Sequence, residues 1–235
     1  MINGRKKNKK MEGVELLPRP QIIMLSGKPA SGKTVAIKAI MRALCDGAQR
    51  PQFGRVYCST AMLSGSYTFF PDNCVFTEYN ELELKKYIES ILTWKKKNAK
   101  KSIPPNVLLL DDQAGRFSFY TPFWTWFLSI HRHTMTTFIC ASQGLTCQGG
   151  SSVLLRSVTD ISIMYGSPML HTRKTLFHCY GGYFDSFKSF VAAFESCTKK
   201  RGKHWAMVFQ AKGENIGECY KAWKAPLVDD FKIKF

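Results

Sequence analysis

The sequence predicts an α/β fold, a central and mostly parallel sheet flanked by helices, and three stretches predict it. The first is Gln21 to Thr34, where an apolar run feeds straight into a glycine-rich loop. The second is Asn106 to Gln113, four apolar residues ending in two adjacent carboxylates. The third is Met135 to Ser142, a β-branched and apolar run that stops on Gln143. Short apolar runs of this kind suit buried strands.

In the first stretch, Ile22-Ile23-Met24-Leu25 is the strand, and Val35 to Leu44 has helical composition and spacing. Between them, Gly27-Lys28-Pro29-Ala30-Ser31-Gly32-Lys33-Thr34 matches GxxxxGK[ST]. A nucleotide's β-phosphate concentrates negative charge, so its site needs several converging backbone N–H groups and no Cβ in the way. Gly27 and Gly32 meet that need. The phosphates then sit on a helix N-terminus. Lys33 reaches the β- and γ-phosphates and the Thr34 hydroxyl holds Mg²⁺. The expectation is a site for a nucleoside triphosphate, ATP with Mg²⁺, built on residues 27–34.

In the second stretch, Val107 to Leu110 delivers Asp111 to the Mg²⁺ shell at the carboxyl edge of the sheet. Asp112 then projects where an attacking water must be polarised. Many related ATPases carry Glu there, so the shorter Asp112 works over a longer reach or through an extra water. In the third, Gln143 presents an amide at the tip of the strand after the carboxylates. That fits the sensor of the additional-strand P-loop class, which holds the lytic water or feels the γ-phosphate. Arg156 follows in a loop shortly after, where one subunit can offer a guanidinium to its neighbour.

Residues 1–20 open with Gly4-Arg5-Lys6-Lys7-Asn8-Lys9-Lys10 and close with Pro18-Arg19-Pro20, the composition of a basic flexible arm. A targeting or solubilising tail and a DNA-contacting arm are both open. Residues 21–235 are expected to form a single P-loop domain. Arg55 to Ser59 and Cys74 to Thr77 read as strands, and Glu81 to Lys97 as a helix with Leu82, Leu84, Ile88, Ile91, Leu92 and Trp94 on its apolar side. The lysines from Lys95 to Lys101 suit that helix's C-terminus. Phe117 to His133 is aromatic-rich and makes a loop and a helix over the sheet. Its rings serve a core or interface, or stack on single-stranded bases. His131 and His133, with no acidic or cysteine ligand at metal spacing, end that helix. Asp160 to Tyr165 reads as a strand and Tyr183 to Lys200 as an amphipathic helix. Trp205 to Gln210 and Gly217 to Trp223 flank Gly213-Glu214-Asn215 as a C-terminal β-hairpin.

Composition bounds the function. Hydrophobic residues make up 45% of the 235, enough for a sizeable core. No apolar run reaches the ~18 residues of a membrane span, and the N-terminus is too polar for a signal peptide. The expectation is a soluble intracellular chain with no transmembrane segment. The eight cysteines include no CxxC pair and suit reduced, packed thiols. Lys and Arg number 34 against 17 Asp and Glu, a formal net charge of +17. A single nucleotide calls for only about two or three cations, so most of the excess faces a polyanion, nucleic acid first.

Taken together, GKPASGKT at 27–34, VLLLDDQ at 107–113, ASQ at 141–143, LLR at 154–156 and the closing hairpin resemble the viral genome-packaging ATPases of the FtsK–HerA superfamily. Such proteins occur in poxviruses, other large DNA viruses, virophages and membrane-containing icosahedral viruses. The resemblance implies a homo-oligomeric ring, pentamer or hexamer, at a capsid vertex, pumping double-stranded DNA inward at the expense of ATP. It implies capsid vertex proteins as partners and the infected cell and virion as the location. By motif, Lys33 and Thr34 take phosphate and Mg²⁺, and Asp111 the Mg²⁺. Asp112 is the base, Gln143 the sensor and Arg156 a trans-acting finger. Many relatives have Asn after the finger, where this chain has Ser157. The rivals are a helicase or other nucleic-acid-dependent ATPase, a nucleotide kinase, and a non-enzymatic DNA-binding module. No helicase motif lies between the carboxylates and the sensor, the basic runs do not form a lid, and the intact carboxylate strand argues against a mere binder.

Overall fold

The computed structural model describes residues 14–111, 113, 118–143, 153–210 and 216–235. Ile22–Ser26 (β1) is buried along its whole length and leads through the glycine loop into Lys33–Asp46 (α1). The buried residues of α1, Ala36, Ile37, Ala39, Ile40, Met41 and Leu44, recur at helical spacing and make one face. Phe53–Cys58 (β2), Ala61–Ser64 (α2) and Val75–Phe76 (β3) follow. Glu81–Lys97 (α3) starts where the Asn80 side chain accepts the Glu83 N–H, and it ends on three lysines that suit the negative end of the helix dipole. Then come Asn106–Asp111 (β4), Pro122–Ile130 (α4, capped by Thr121), Thr136–Ser142 (β5), Val153–Val158 (α5) and Ile161–Tyr165 (β6). Leu170–Tyr180 (α6), Phe187–Cys197 (α7), Trp205–Phe209 (β7), Ile216–Cys219 (α8) and Tyr220–Lys224 (β8) complete the chain.

All these strands join one sheet, in the order β3-β2-β4-β5-β1-β6-β7-β8. The pairings from β3 to β6 are parallel, whereas β7 runs antiparallel to both β6 and β8. Parallel strands covered on both faces read as continuous apolar runs, and here the two faces separate residue by residue. Ile23, Leu25, Val107, Leu109, Ile139 and Ala141 pack on the α1 side. Ile22, Met24, Leu108, Leu110, Phe138 and Cys140 pack on the side of α3 and α4. A third cluster joins α6 and α7 to β6, β7 and β8.

The structure departs from the sequence expectation in several places. Val14 is 3% exposed and packs in the α1-side core, while Arg19 pairs with Asp160 at 2.7 Å. Residues 14–20 are therefore packed rather than a solvated arm; residues 1–13 lie outside the description. Helix α6 was not anticipated, because only Leu176 and Tyr180 of its residues are buried and its apolar period is weak. The helix expected over 183–200 is shorter: Gly181–Tyr183 is a 3₁₀ turn, the Ser186–Ser189 capping box starts α7 at Phe187, and α7 ends at Cys197. The hairpin is formed by β7 and β8, with 216–219 helical instead of extended. Leu82 and Trp94 of α3 are exposed, since only Leu84 and Ile88 are fully covered.

Candidate nucleotide site

Because β1, β4 and β5 are parallel, their carboxyl ends meet at one edge of the sheet, and β5 lies between the other two. Asp111 is level with Ala141, which is level with Leu25. One residue further on, the Gly27 N–H donates to the Ser142 carbonyl at 3.2 Å. Neighbouring strands lie about 4.8 Å apart, so the glycine loop and Asp111 sit roughly 10 Å apart across a single intervening strand tip. That tip carries Gln143, exposed between them. The additional strand expected from the sequence is thus in place, with the amide at its end.

The loop has the form that an anion requires. Gly32 has φ 105° and Ala30 φ 58°, which turns the chain into α1. A Cβ on Gly27 would lie 2.6 Å from Ser31 Oγ and 2.8 Å from Tyr165 Cβ, so only glycine fits. Lys28, Pro29 and Ala30 are exposed, and Gly32 and Lys33 half-buried. The first turn of α1 carries no acidic residue, which leaves its positive dipole end to a ligand. The Lys33 ammonium donates to the Gly27 carbonyl at 2.6 Å and to the Lys28 carbonyl at 3.1 Å, which places a positive charge at the mouth of the loop. Buried Ser31 Oγ has no hydrogen-bond partner in the protein, a polar atom left over at the cradle. These features fit a triphosphate. Thr34, half-buried in the first turn of α1, and Asp111 supply the hydroxyl and carboxylate that a hard cation such as Mg²⁺ takes.

Several supporting groups were not foreseen. The Tyr165 hydroxyl, at the end of β6, donates to the Gly32 carbonyl at 3.1 Å, and burial pushes that phenol up from its ordinary pKa. His204 lies with Nδ1 3.2 Å from the Ser31 carbonyl. Asp111 is 7% exposed, and one of its oxygens accepts the Tyr67 hydroxyl at 2.6 Å. Gln113, buried two residues on, accepts from the N–H groups of Cys58 (3.3 Å) and Ser59 (3.0 Å) when its amide oxygen faces β2. Asp111 and Gln113 are therefore each held by partners distant in the chain. No local spacing in the sequence could have revealed these partners.

Two expected residues are not placed at the site. Asp112 lies outside the described residues. Arg156 lies in helix α5 and not in a loop, and its side chain is outside the description. The buried Leu155 beside it anchors that helix to the α4 side of the sheet.

No protein-family model matches the chain, and no curated protein sequence matches it. Solved structures do. The genome packaging NTPase B204 from Sulfolobus turreted icosahedral virus 2, in complex with ATP-gammaS, is similar with TM-score 0.61 and 16% identity, covering 91% of this chain and 100% of its own. The DNA-packaging ATPase B204 from Sulfolobus turreted icosahedral virus gives TM-score 0.59 and 17% identity over 89% of this chain and 100% of its own. EssC (ATPases 2 and 3) from Geobacillus thermodenitrificans gives 0.56 and 11% over 91% of this chain but 41% of its own. At such identities the likeness is one of fold: the chain shares the α/β fold of these packaging NTPases and of EssC.

Proposed function

We propose that this chain hydrolyses ATP to drive double-stranded DNA into a preformed viral capsid, working as a homo-oligomeric ring docked on capsid vertex proteins. The observation that carries the proposal is the juxtaposition of the glycine loop, Gln143 and Asp111 at one sheet edge, in a fold shared with packaging NTPases. Residues 27–34 bind the phosphates: backbone N–H groups and the α1 dipole hold them, and Lys33 turns from its loop carbonyls onto the β- and γ-oxygens. Thr34 and Asp111 hold Mg²⁺, which supplies charge neutralisation for those oxygens. Asp112 takes the proton of the attacking water, and Gln143 orients that water from the strand between. Arg156 completes a neighbour's pocket in the ring, where a guanidinium supplied in trans is worth roughly 10³–10⁵ in rate.

The test is ATP turnover with and without DNA, beside nucleotide binding. Lys33→Ala should lose binding or turnover, whereas Asp112→Asn and Arg156→Ala should keep binding and hydrolyse poorly. Mixing Lys33→Ala with Arg156→Ala should restore part of the activity, because in a mixed ring an intact pocket can meet an intact finger. Turnover indifferent to DNA favours a nucleotide kinase, and strand separation on a forked substrate a helicase. Wild-type turnover in Asp112→Asn would move the base elsewhere.

A further inference from the structure

Residues 67–70 belong to no helix or strand, yet Tyr67, Phe69 and Phe70 are 2%, 3% and 1% exposed. The C-terminal tail covers them. The Ile233 N–H donates to the Phe69 carbonyl at 2.8 Å, and the Lys232 ammonium donates to the Thr68 carbonyl. The Phe231 ring lies 5.1 Å from that of Phe69, and the Phe235 ring 6.1 Å from that of Phe70. The tail is held in turn by α1: Asp230 pairs with Lys38 at 2.7 Å, and the Arg42 guanidinium lies 5.4 Å above the Phe231 ring. It leaves β8 at one end of the sheet and finishes beside Gly54 of β2, toward the other end. The Tyr67 ring lies 5.9 Å from that of the clasped Phe69, and its hydroxyl lies 2.6 Å from Asp111 Oδ2, a bond between residues 44 apart in the chain.

A neutral hydroxyl donating to a carboxylate at this distance is a short, charge-assisted bond. It holds the carboxylate in one orientation. We infer that Tyr67 is a positioning residue for Asp111, orienting its carboxylate for the divalent cation that accompanies the nucleotide, and that tail residues 230–235 hold Tyr67 there. The inference rests on residues 27–34 holding a nucleoside triphosphate. Removing a group that orients a metal ligand typically costs about 10–100-fold in metal affinity.

The experiment titrates Mg²⁺ into the full chain with a fluorescent, non-hydrolysable ATP analogue, and compares wild type with Tyr67→Phe, which keeps the buried ring and removes only the hydroxyl. The half-saturating Mg²⁺ concentration should rise about 10-fold, while affinity for the analogue in EDTA stays as in wild type. A general loss of structure would also weaken binding of the analogue in EDTA. Phe231→Ala loosens the clasp without touching Tyr67 or Asp111, and should raise the Mg²⁺ requirement in the same direction by less. It also carries the test should Tyr67→Phe not fold. Equal Mg²⁺ half-saturation in the variants and wild type overturns this inference alone. A wild-type chain that binds no analogue overturns the nucleotide site and the inference with it.

Discussion

His131 closes α4 with its Nδ1–H donated to the Leu128 carbonyl at 2.9 Å, and its other ring nitrogen is buried with no partner in the protein. Burial pushes its pKa below the ordinary 6.5, with the Arg132 and Arg19 charges acting in the same direction and the Leu128 bond and Asp160 against it. The unfolded chain therefore takes up a proton at a pH where the folded chain does not. Stability is intact above about 6.5 and falls as the pH drops from there through the folded value. Thermal unfolding between pH 7.5 and 5.5 should show that decline, and His131→Gln should flatten it. An unchanged slope in the variant would assign the loss to other groups.

Helix α4 decides what the aromatic stretch is for. Thr121 caps it and Pro122 starts it, so its boundaries follow from local chemistry. Trp124 and Phe127 are fully buried, with rings 5.2 and 5.7 Å from Phe138 of β5, and Phe119 and Phe123 close around them. These rings are core and cannot stack on bases; Tyr120, 63% exposed, stands apart. Trp124→Ala should cost about 3–5 kcal/mol in denaturant unfolding, through the cavity it leaves. Tyr120→Ala should stay within about 0.5 kcal/mol. Similar losses at the two positions would contradict the packing.

Across the molecule the charge is unevenly matched. Among the described residues, Asp46, Glu89, Asp160, Glu195 and Asp230 pair with nearby cations, while no ion pair involves the basic runs Lys95–Lys97 and Lys199–Arg201 at the ends of α3 and α7. With +17 overall, the proposed DNA contact is electrostatic and indifferent to base sequence. A protein making about 6–10 phosphate contacts loses roughly 10³–10⁵ in affinity between about 50 and 200 mM salt, and this chain should do the same on unrelated duplexes. Binding that ignores salt would remove DNA from the proposal.

The glycine loop, the strand ending in Asp111 and the strand ending at Gln143 were legible from the sequence because each is written in consecutive residues: apolar runs of strand length, glycines at backbone-limited positions, and polar groups at strand tips. Their meeting at one edge followed from parallel pairing, which forces successive strand ends to the same side. The helix spans with strong caps, α3 above all, were equally local. Tyr67, Tyr165 and His204 reach the site from 44, 133 and 173 residues away from the groups they touch, so no window of sequence contains both partners. The packing of Val14 and the path of the C-terminal tail were hidden for the same reason. Short segments with little periodicity of their own take their conformation from the surfaces they cover, and those surfaces exist only once the sheet and α1 have assembled.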